Sequence, residues 1–163
     1  MNRCNIRPIE AKDNVEIARI IRATLKEFGA NHPGTVYYDD TTDHLFELFH
    51  TPQSAYWIVE DDEGMLGGGG IFPTKGLPVG TCELVKLYLL PRSRGKGIGK
   101  LLMDKCHQQA NAFGFNKIYL ETMPELTIAV PLYEKMGYQY LDGPLGESGH
   151  FGCAIQMLKK LNP

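Results

Sequence analysis

The segment from Glu83 to Lys100 (ELVKLYLLPRSRGKGIGK) constrains the chain more than any other stretch. Its first part is apolar and reads as the strongest strand, over 82–90, with Pro91 ending it because proline has no backbone N–H to give a ladder. From Ile98 the apolar residues Ile98, Leu101, Leu102, Cys106, Ala110 and Phe113 recur as one stripe opposite Lys100, Asp104, Lys105 and Gln108, which predicts a helix over 98–113 closed by Gly114. Between them lies a basic, glycine-rich turn. The first N–H groups of a helix lack partners within it and carry partial positive charge, so such a junction attracts phosphate oxygens. Gly95, Gly97 and Gly99 remove the side chains that would hold a pyrophosphate away, and Arg94, Lys96 and Lys100 add charge at the rim. The turn lacks the G-K-[ST] ending of a P-loop. A dinucleotide fold would want an acidic residue about twenty positions on; Glu121 lies near that offset, and that alternative stays open beside a turn that glycine merely shapes.

Other elements frame this segment. Asn5 to Ile9 reads as a first strand, and Asp13 as the cap of a helix whose face is Ile17, Ala18, Ile21, Leu25 and Phe28, with Gly29 as its stop. A polar, aromatic loop over 31–42 leads to a shorter helix through Leu45, Phe46, Leu48 and Phe49. Ala55 to Val59 and Met65 to Phe72 read as a hairpin turning at 61–64. Four consecutive glycines, Gly67 to Gly70, sit in its second arm, and they fit either a bulge or close approach of another backbone or ligand, or a loose exposed edge. Strands over 118–122, 138–141 and 153–158 and a helix from Ile128 to Met136 complete the reading. Strands on both sides of two strong helices predict a mixed α/β layer structure.

With 163 residues and no repeat, low-complexity tract or linker, residues 1–163 are expected to form a single domain. Arg3 and Arg7 are followed by no apolar run, so no secretory signal is read and the cytoplasm is the expected location. No apolar stretch spans a bilayer, so no membrane partner is expected. A net charge of −2 gives no general attraction for nucleic acid. Cys4, Cys82, Cys106 and Cys153 form neither a C-x-x-C pair nor a zinc-finger spacing with His, so they read as reduced structural thiols, and no metal site is expected.

Two segments carry a resemblance. Arg94-Gly95-Lys96-Gly97-Ile98-Gly99 resembles the R-x-x-G-x-G acetyl-CoA motif of the GNAT acyltransferase superfamily, and Leu132-Tyr133-Glu134-Lys135-Met136-Gly137-Tyr138 its later L-Y-E-K-x-G-F motif, in the same order and at the usual separation. The resemblance implies a GNAT-like α/β fold: a mixed, splayed, mostly antiparallel sheet of about six to seven strands flanked by about four helices. It also implies acetyl-CoA as co-substrate and an N-acetyltransferase activity. By position, the backbone of Leu87, Tyr88 and Leu89 would hold the pantetheine arm, and Arg94, Gly95, Lys96, Gly97, Ile98, Gly99 and Lys100 the pyrophosphate.

Tyr133 matches the tyrosine that relatives use to protonate the departing thiolate, a role open to a phenol with a reference pKa of about 10; packing on the last helix is its other reading. Glu83, eleven residues before Arg94, has the spacing of the general base in the histone-acetylating branch. An alkylamine, with a pKa of about 10.4, must lose a proton before it attacks. Regular alternation would place Glu83, Val85, Leu87 and Leu89 on one face and Lys86 and Tyr88 on the other. A surface pairing with Lys would make Glu83 structural only. Leu126 stands where relatives carry an Asn that reaches the pantetheine, and Pro131 inside the expected helix predicts a late start or a kink.

For the acceptor, Tyr37, Tyr38, Asp39 and Asp40 with His150 would make an aromatic, acidic mouth suited to a cationic amine, and His150 could act as a base; a solvated loop accounts for them equally. Three functions remain: acetyl transfer to a small-molecule amine or amino acid, acyl-CoA sensing without turnover, and acetylation of a protein N-terminus or lysine. Relatives also make a homodimer plausible.

Overall fold

The protein is described by a computed structural model covering residues 3–162. Seven strands form one sheet: β1 (Asn5–Pro8), β2 (Ala55–Asp61), β3 (Gly64–Phe72), β4 (Thr81–Leu89), β5 (Lys117–Thr122), β6 (Gln139–Tyr140) and β7 (Ile155–Lys160), in the order β1-β2-β3-β4-β5-β7-β6. All neighbours are antiparallel except β4 and β5. Helices α1 (Asn14–Glu27), α2 (Leu45–Leu48), α3 (Ile98–Ala112) and α4 (Ala129–Lys135) flank it. None of the helices among the described residues is long and apolar enough to cross a membrane.

The helices follow their apolar stripes, with two corrections. Ile17, Ile21 and Leu25 of α1 are fully buried with Tyr56 and Ile58 of β2. Asp13 precedes α1 but does not cap it: its carboxylate receives the Arg7 guanidinium at 2.8 and 2.9 Å and the Glu10 N–H at 2.7 Å, so it ties β1 to the turn before the helix. On α3, Met103 is buried and Leu101 is half exposed, because the helix lies over the sheet on a stripe of Ile98, Leu102, Met103, Cys106 and Ala110. The 138–141 strand shrinks to the two residues of β6. Helix α4 starts at Ala129, within one residue of the expected Ile128, which leaves Pro131 in the first turn, where its missing N–H breaks no intrahelical bond. Cys82, Cys106 and Cys153 are free and buried, whereas Cys4 is exposed.

Two irregularities in the centre of the sheet create the site. First, β4 pairs with β5 only from Thr81 to Glu83, opposite Lys117 to Tyr119, although both strands run on; beyond Glu83 they part. Second, Gly68 pairs with Tyr88 but Gly70 with Val85, so β4 takes three steps where β3 takes two. The extra residue makes a bulge at Lys86, whose φ is 53°. The bulge reverses the alternation expected from the sequence: Leu87 packs with Leu84 toward α3, while Lys86 and Tyr88 lie on the side of Glu83 and Val85.

The glycines of β3 are the other half of this arrangement. They lie in a central strand and not at an edge, and Gly67 to Gly70 are all buried. The Tyr56 ring crosses them from β2, and its hydroxyl donates to the Lys86 carbonyl at 2.7 Å, fixing the bulge. A Cβ on Gly68 would sit 2.6 Å from that ring, and one on Gly70 would sit 2.2 Å from the Ala55 carbonyl oxygen and 2.8 Å from the ring. Gly70→Ala should therefore lower stability by about 1–3 kcal/mol as an overpacked core does. Gly69→Ala should cost less, since the atoms nearest its Cβ would belong to the Leu87 side chain, at 3.1 Å. Urea midpoints of the two variants check the order.

Candidate active site

Where β4 and β5 part, three cavities adjoin and share lining residues. A cleft of about 380 Å³ lies between the ends of α3 and α4, lined by Leu87, Leu89, Gly97, Gly99, Leu126 and Leu132 among others. It shares Leu87, Tyr88 and Leu126 with a tight junction of about 40 Å³ inside the splay. The junction in turn shares Glu83, Val85, Lys86 and His150 with an outer cavity of about 260 Å³ on the far side.

The cleft has the features of a phosphate-ended, partly apolar ligand site. Gly95 and Gly97 each adopt φ 74°, a left-handed conformation that a side chain would strain, and a Cβ on either would meet nothing within 4 Å. Their role is therefore to turn the backbone into the start of α3, and the space beside them is open. Arg94, by contrast, is engaged: its guanidinium grips Glu27 at the end of α1 at 2.6 and 2.8 Å and lies over the Phe28 ring, 5.0 Å from its centroid. It closes the cleft wall as an ion pair. Lys100 lines the cleft and pairs with Asp104 at 3.0 Å, while Lys96 is exposed and outside the residues lining it. Leu126 is 6% exposed and lines both cleft and junction, an apolar wall where the expected amide would have offered a hydrogen bond.

At the junction the polar groups converge. Glu83 is 3% exposed, and burial pushes its carboxyl up to about 7; Glu121 adds to the rise, and the Thr74 hydroxyl, donating at 2.6 Å, opposes it with His150 and Lys86. Tyr133, buried on α4 and packed on Tyr138 with ring centroids 6.0 Å apart, lines the same space; burial holds its phenol well above its ordinary value. His150 is held from two sides, Nε2 at 2.7 Å from Asp39 and Nδ1 at 3.8 Å from Glu121. Thr122, also lining the junction, has a buried hydroxyl without a partner among the described residues.

Several of these groups escaped the sequence reading. Of the mouth expected around 37–40, only Asp39 reaches the site: Tyr38 and Asp40 are exposed, Tyr37 packs against the α1 core, and neither tyrosine lines the three cavities. Lys86 comes into the site through the bulge, which single-strand alternation could not reveal. Glu121 lines the junction and not the cleft beside the glycine turn, so it is not placed for the ribose of a dinucleotide; it accepts from the hydroxyls of Ser148 and Tyr119. Glu83, Glu121 and His150 bring ligand-type atoms within 4.8 Å of one another, a grouping the sequence did not suggest, and each of the three is already engaged by a hydrogen bond.

Known proteins share sequence and fold with this chain. Residues 17–138 match the model of the acetyltransferase (GNAT) family. The chain is 40% identical over 157 residues to the uncharacterized N-acetyltransferase YjgM of Escherichia coli, covering 96% of this chain and 94% of that protein. A GNAT-family acetyltransferase from Staphylococcus aureus superposes with a TM-score of 0.83 at 18% identity, over 98% of this chain and all of that one (100%). A phosphinothricin acetyltransferase of the GNAT superfamily from Sinorhizobium meliloti, solved with AcCoA, has a TM-score of 0.74 at 20% identity, covering 97% and 88% of the two chains.

Proposed function

The chain belongs to the GNAT family of acetyltransferases, and from that premise we propose that it moves the acetyl group of acetyl-CoA directly onto the nitrogen of a small amine. The observation that carries this reading is that the three cavities adjoin, with Glu83 and Tyr133 both lining the junction that shares residues with the cleft on one side and with the outer cavity on the other. The turn at 94–100 and the start of α3 suit the pyrophosphate, and the backbone of Leu87 to Leu89 the pantetheine arm. The bound acetyl-CoA of the Sinorhizobium protein of like fold is consistent with that assignment.

In the proposed reaction the acceptor enters as an ammonium ion from the outer cavity. The Glu83 carboxylate takes one proton, directly or through a water, and frees the nitrogen lone pair. That nitrogen bonds to the acetyl carbonyl carbon, whose oxygen gathers charge near the backbone of β4 past the bulge. The C–S bond then breaks, and the nitrogen loses its second proton, which restores the Tyr133 phenol as that group gives up its own. The Tyr133 hydroxyl donates to the departing sulfur, which leaves as the CoA thiol; the net products are an amide, CoA and one proton released to solvent. A sensor would need neither a carboxyl poised near neutral pH nor a phenol at the thioester. The small outer cavity, just under the usual 300–1,000 Å³ of ligand pockets, favours a small acceptor over a protein chain.

Cys153 also lines the junction, but burial pushes its thiol up to about 12, which leaves it un-ionised and a poor nucleophile. Mixing the protein with acetyl-CoA alone should therefore release no burst of free thiol and add no acetyl group to the intact mass, whereas adding an amine should release thiol in step with amide. A stoichiometric burst without amine would assign the first attack to the protein and overturn direct transfer.

A further inference from the structure

The outer cavity contains a buried cation whose hydrogen-bonding capacity is mostly unused by the protein. The Lys86 side chain is 6% exposed, yet its nearest partner among the described residues is Asp39 Oδ2 at 3.4 Å. Charge-assisted N–H···O bonds run at about 2.7–2.9 Å, and an ammonium has three donors. The same Oδ2 is already held at 2.7 Å by His150. Bringing an ammonium out of water is expensive unless oxygen ligands replace the solvent. Burial favours the neutral form, and Asp39 and Glu83 oppose that effect.

The rest of the cavity narrows what could complete it. Leu48, Phe49, Phe72 and Val85 supply the apolar part of the cavity lining, and Asp39, Glu83, Lys86 and His150 are among its polar groups. At the rim Lys75 and Glu147, both exposed, face each other at 3.7 Å and cancel. The bulge is what puts Lys86 on the Glu83 side of β4, so a cation and a carboxyl base stand close together on one face. A polyamine would bring a second ammonium against Lys86. An acceptor with an amine and a carboxylate on one carbon meets both groups at once.

We infer that the acceptor is an α-amino acid with a compact apolar side chain, its carboxylate received by Lys86, its amine set toward Glu83 and its side chain against Phe49 and Phe72. This rests on reading the site as that of an acetyltransferase. The test is calorimetric titration of the CoA-loaded protein with two matched pairs that differ only in the carboxylate: L-leucine against 3-methylbutylamine, and L-phenylalanine against 2-phenylethylamine. At least one amino acid should bind about tenfold or more tightly than its decarboxylated partner. Lys86→Met should remove the difference, and Lys86→Arg should restore part of it. Equal binding within both pairs, no binding of either amino acid, or a preference that survives Lys86→Met would overturn the assignment. An amino acid that binds with this preference but releases no thiol once acetyl-CoA replaces CoA supports the carboxylate site and contradicts the transfer reaction instead.

Discussion

Glu83→Gln lowers kcat/KM by about 10²–10⁴-fold, the range for loss of a positioned base, and removes the limb of the pH profile near pH 7. The limb follows from where the carboxyl sits. Burial raises it to about 7, so in the wild type activity climbs as pH rises through that value and the carboxylate forms. The groups facing it are Thr74, Glu121, His150 and Lys86. Because the Thr74 hydrogen bond favours the ionised form, Thr74→Val should move the limb to higher pH. A His150→Gln variant should lose less activity and keep a limb, since the imidazole is engaged by Asp39 and borders the reaction path. If His150→Gln abolished the limb and Glu83→Gln did not, the Asp39–His150 pair would be the base.

The same carboxyl makes a stability prediction of opposite sign. A group whose folded pKa lies above its ordinary value, about 4.3 for glutamate, contributes stability that is complete below that value and is lost as pH rises through the folded pKa, here about 7. At pH 8 the wild type therefore buries an ionised carboxylate at a cost, and Glu83→Gln should melt at a higher temperature. The gap should close as pH falls toward 4. A less active, more stable variant is what a strained catalytic group produces; a less stable one would mark Glu83 as structural.

Tyr133→Phe should lower kcat by about 10²-fold or more, in the range of a lost proton donor, while the Kd of acetyl-CoA stays near that of the wild type. Phenylalanine keeps the ring that packs on Tyr138 and loses only the hydroxyl at the junction. Burial keeps this phenol protonated across the working pH range, so in the proposed reaction it is available as a hydrogen-bond donor to the sulfur while the C–S bond breaks. The loss should accordingly shrink with thioesters of more acidic thiols, which need less help to leave. Equal losses in kcat and affinity would make Tyr133 a packing residue.

What was legible in the sequence is local. Apolar period located α1 and α3, Pro91 and the glycines marked the turn before α3, and Pro131 falls in the first turn of α4, where proline is tolerated. Glu83 and Tyr133, read from motif spacing on separate elements, line one junction. What was not legible depends on contacts between distant segments. The Lys86 bulge is held by a hydroxyl reaching from Tyr56 across β3, thirty residues away in sequence, and no property of β4 alone announces it. The face reversal beyond Val85 follows from it, as does the entry of Lys86 into the site. Gly67 to Gly70 signalled a close approach without saying that Tyr56 makes it. Arg94 carried charge suited to phosphate, yet Glu27, on a helix far back in the chain, takes up its guanidinium.

The central claim is that the cleft and outer cavity meet so that an acetyl group passes from CoA sulfur to an amine nitrogen. The most direct measurement is free-thiol release from acetyl-CoA across a panel of amines and amino acids, with the amide product identified by mass. Thiol and N-acetyl product should appear in equal amounts with at least one small amine. Tight binding of acetyl-CoA with no release on any acceptor would contradict it and leave a protein that holds the cofactor without transferring its acetyl group.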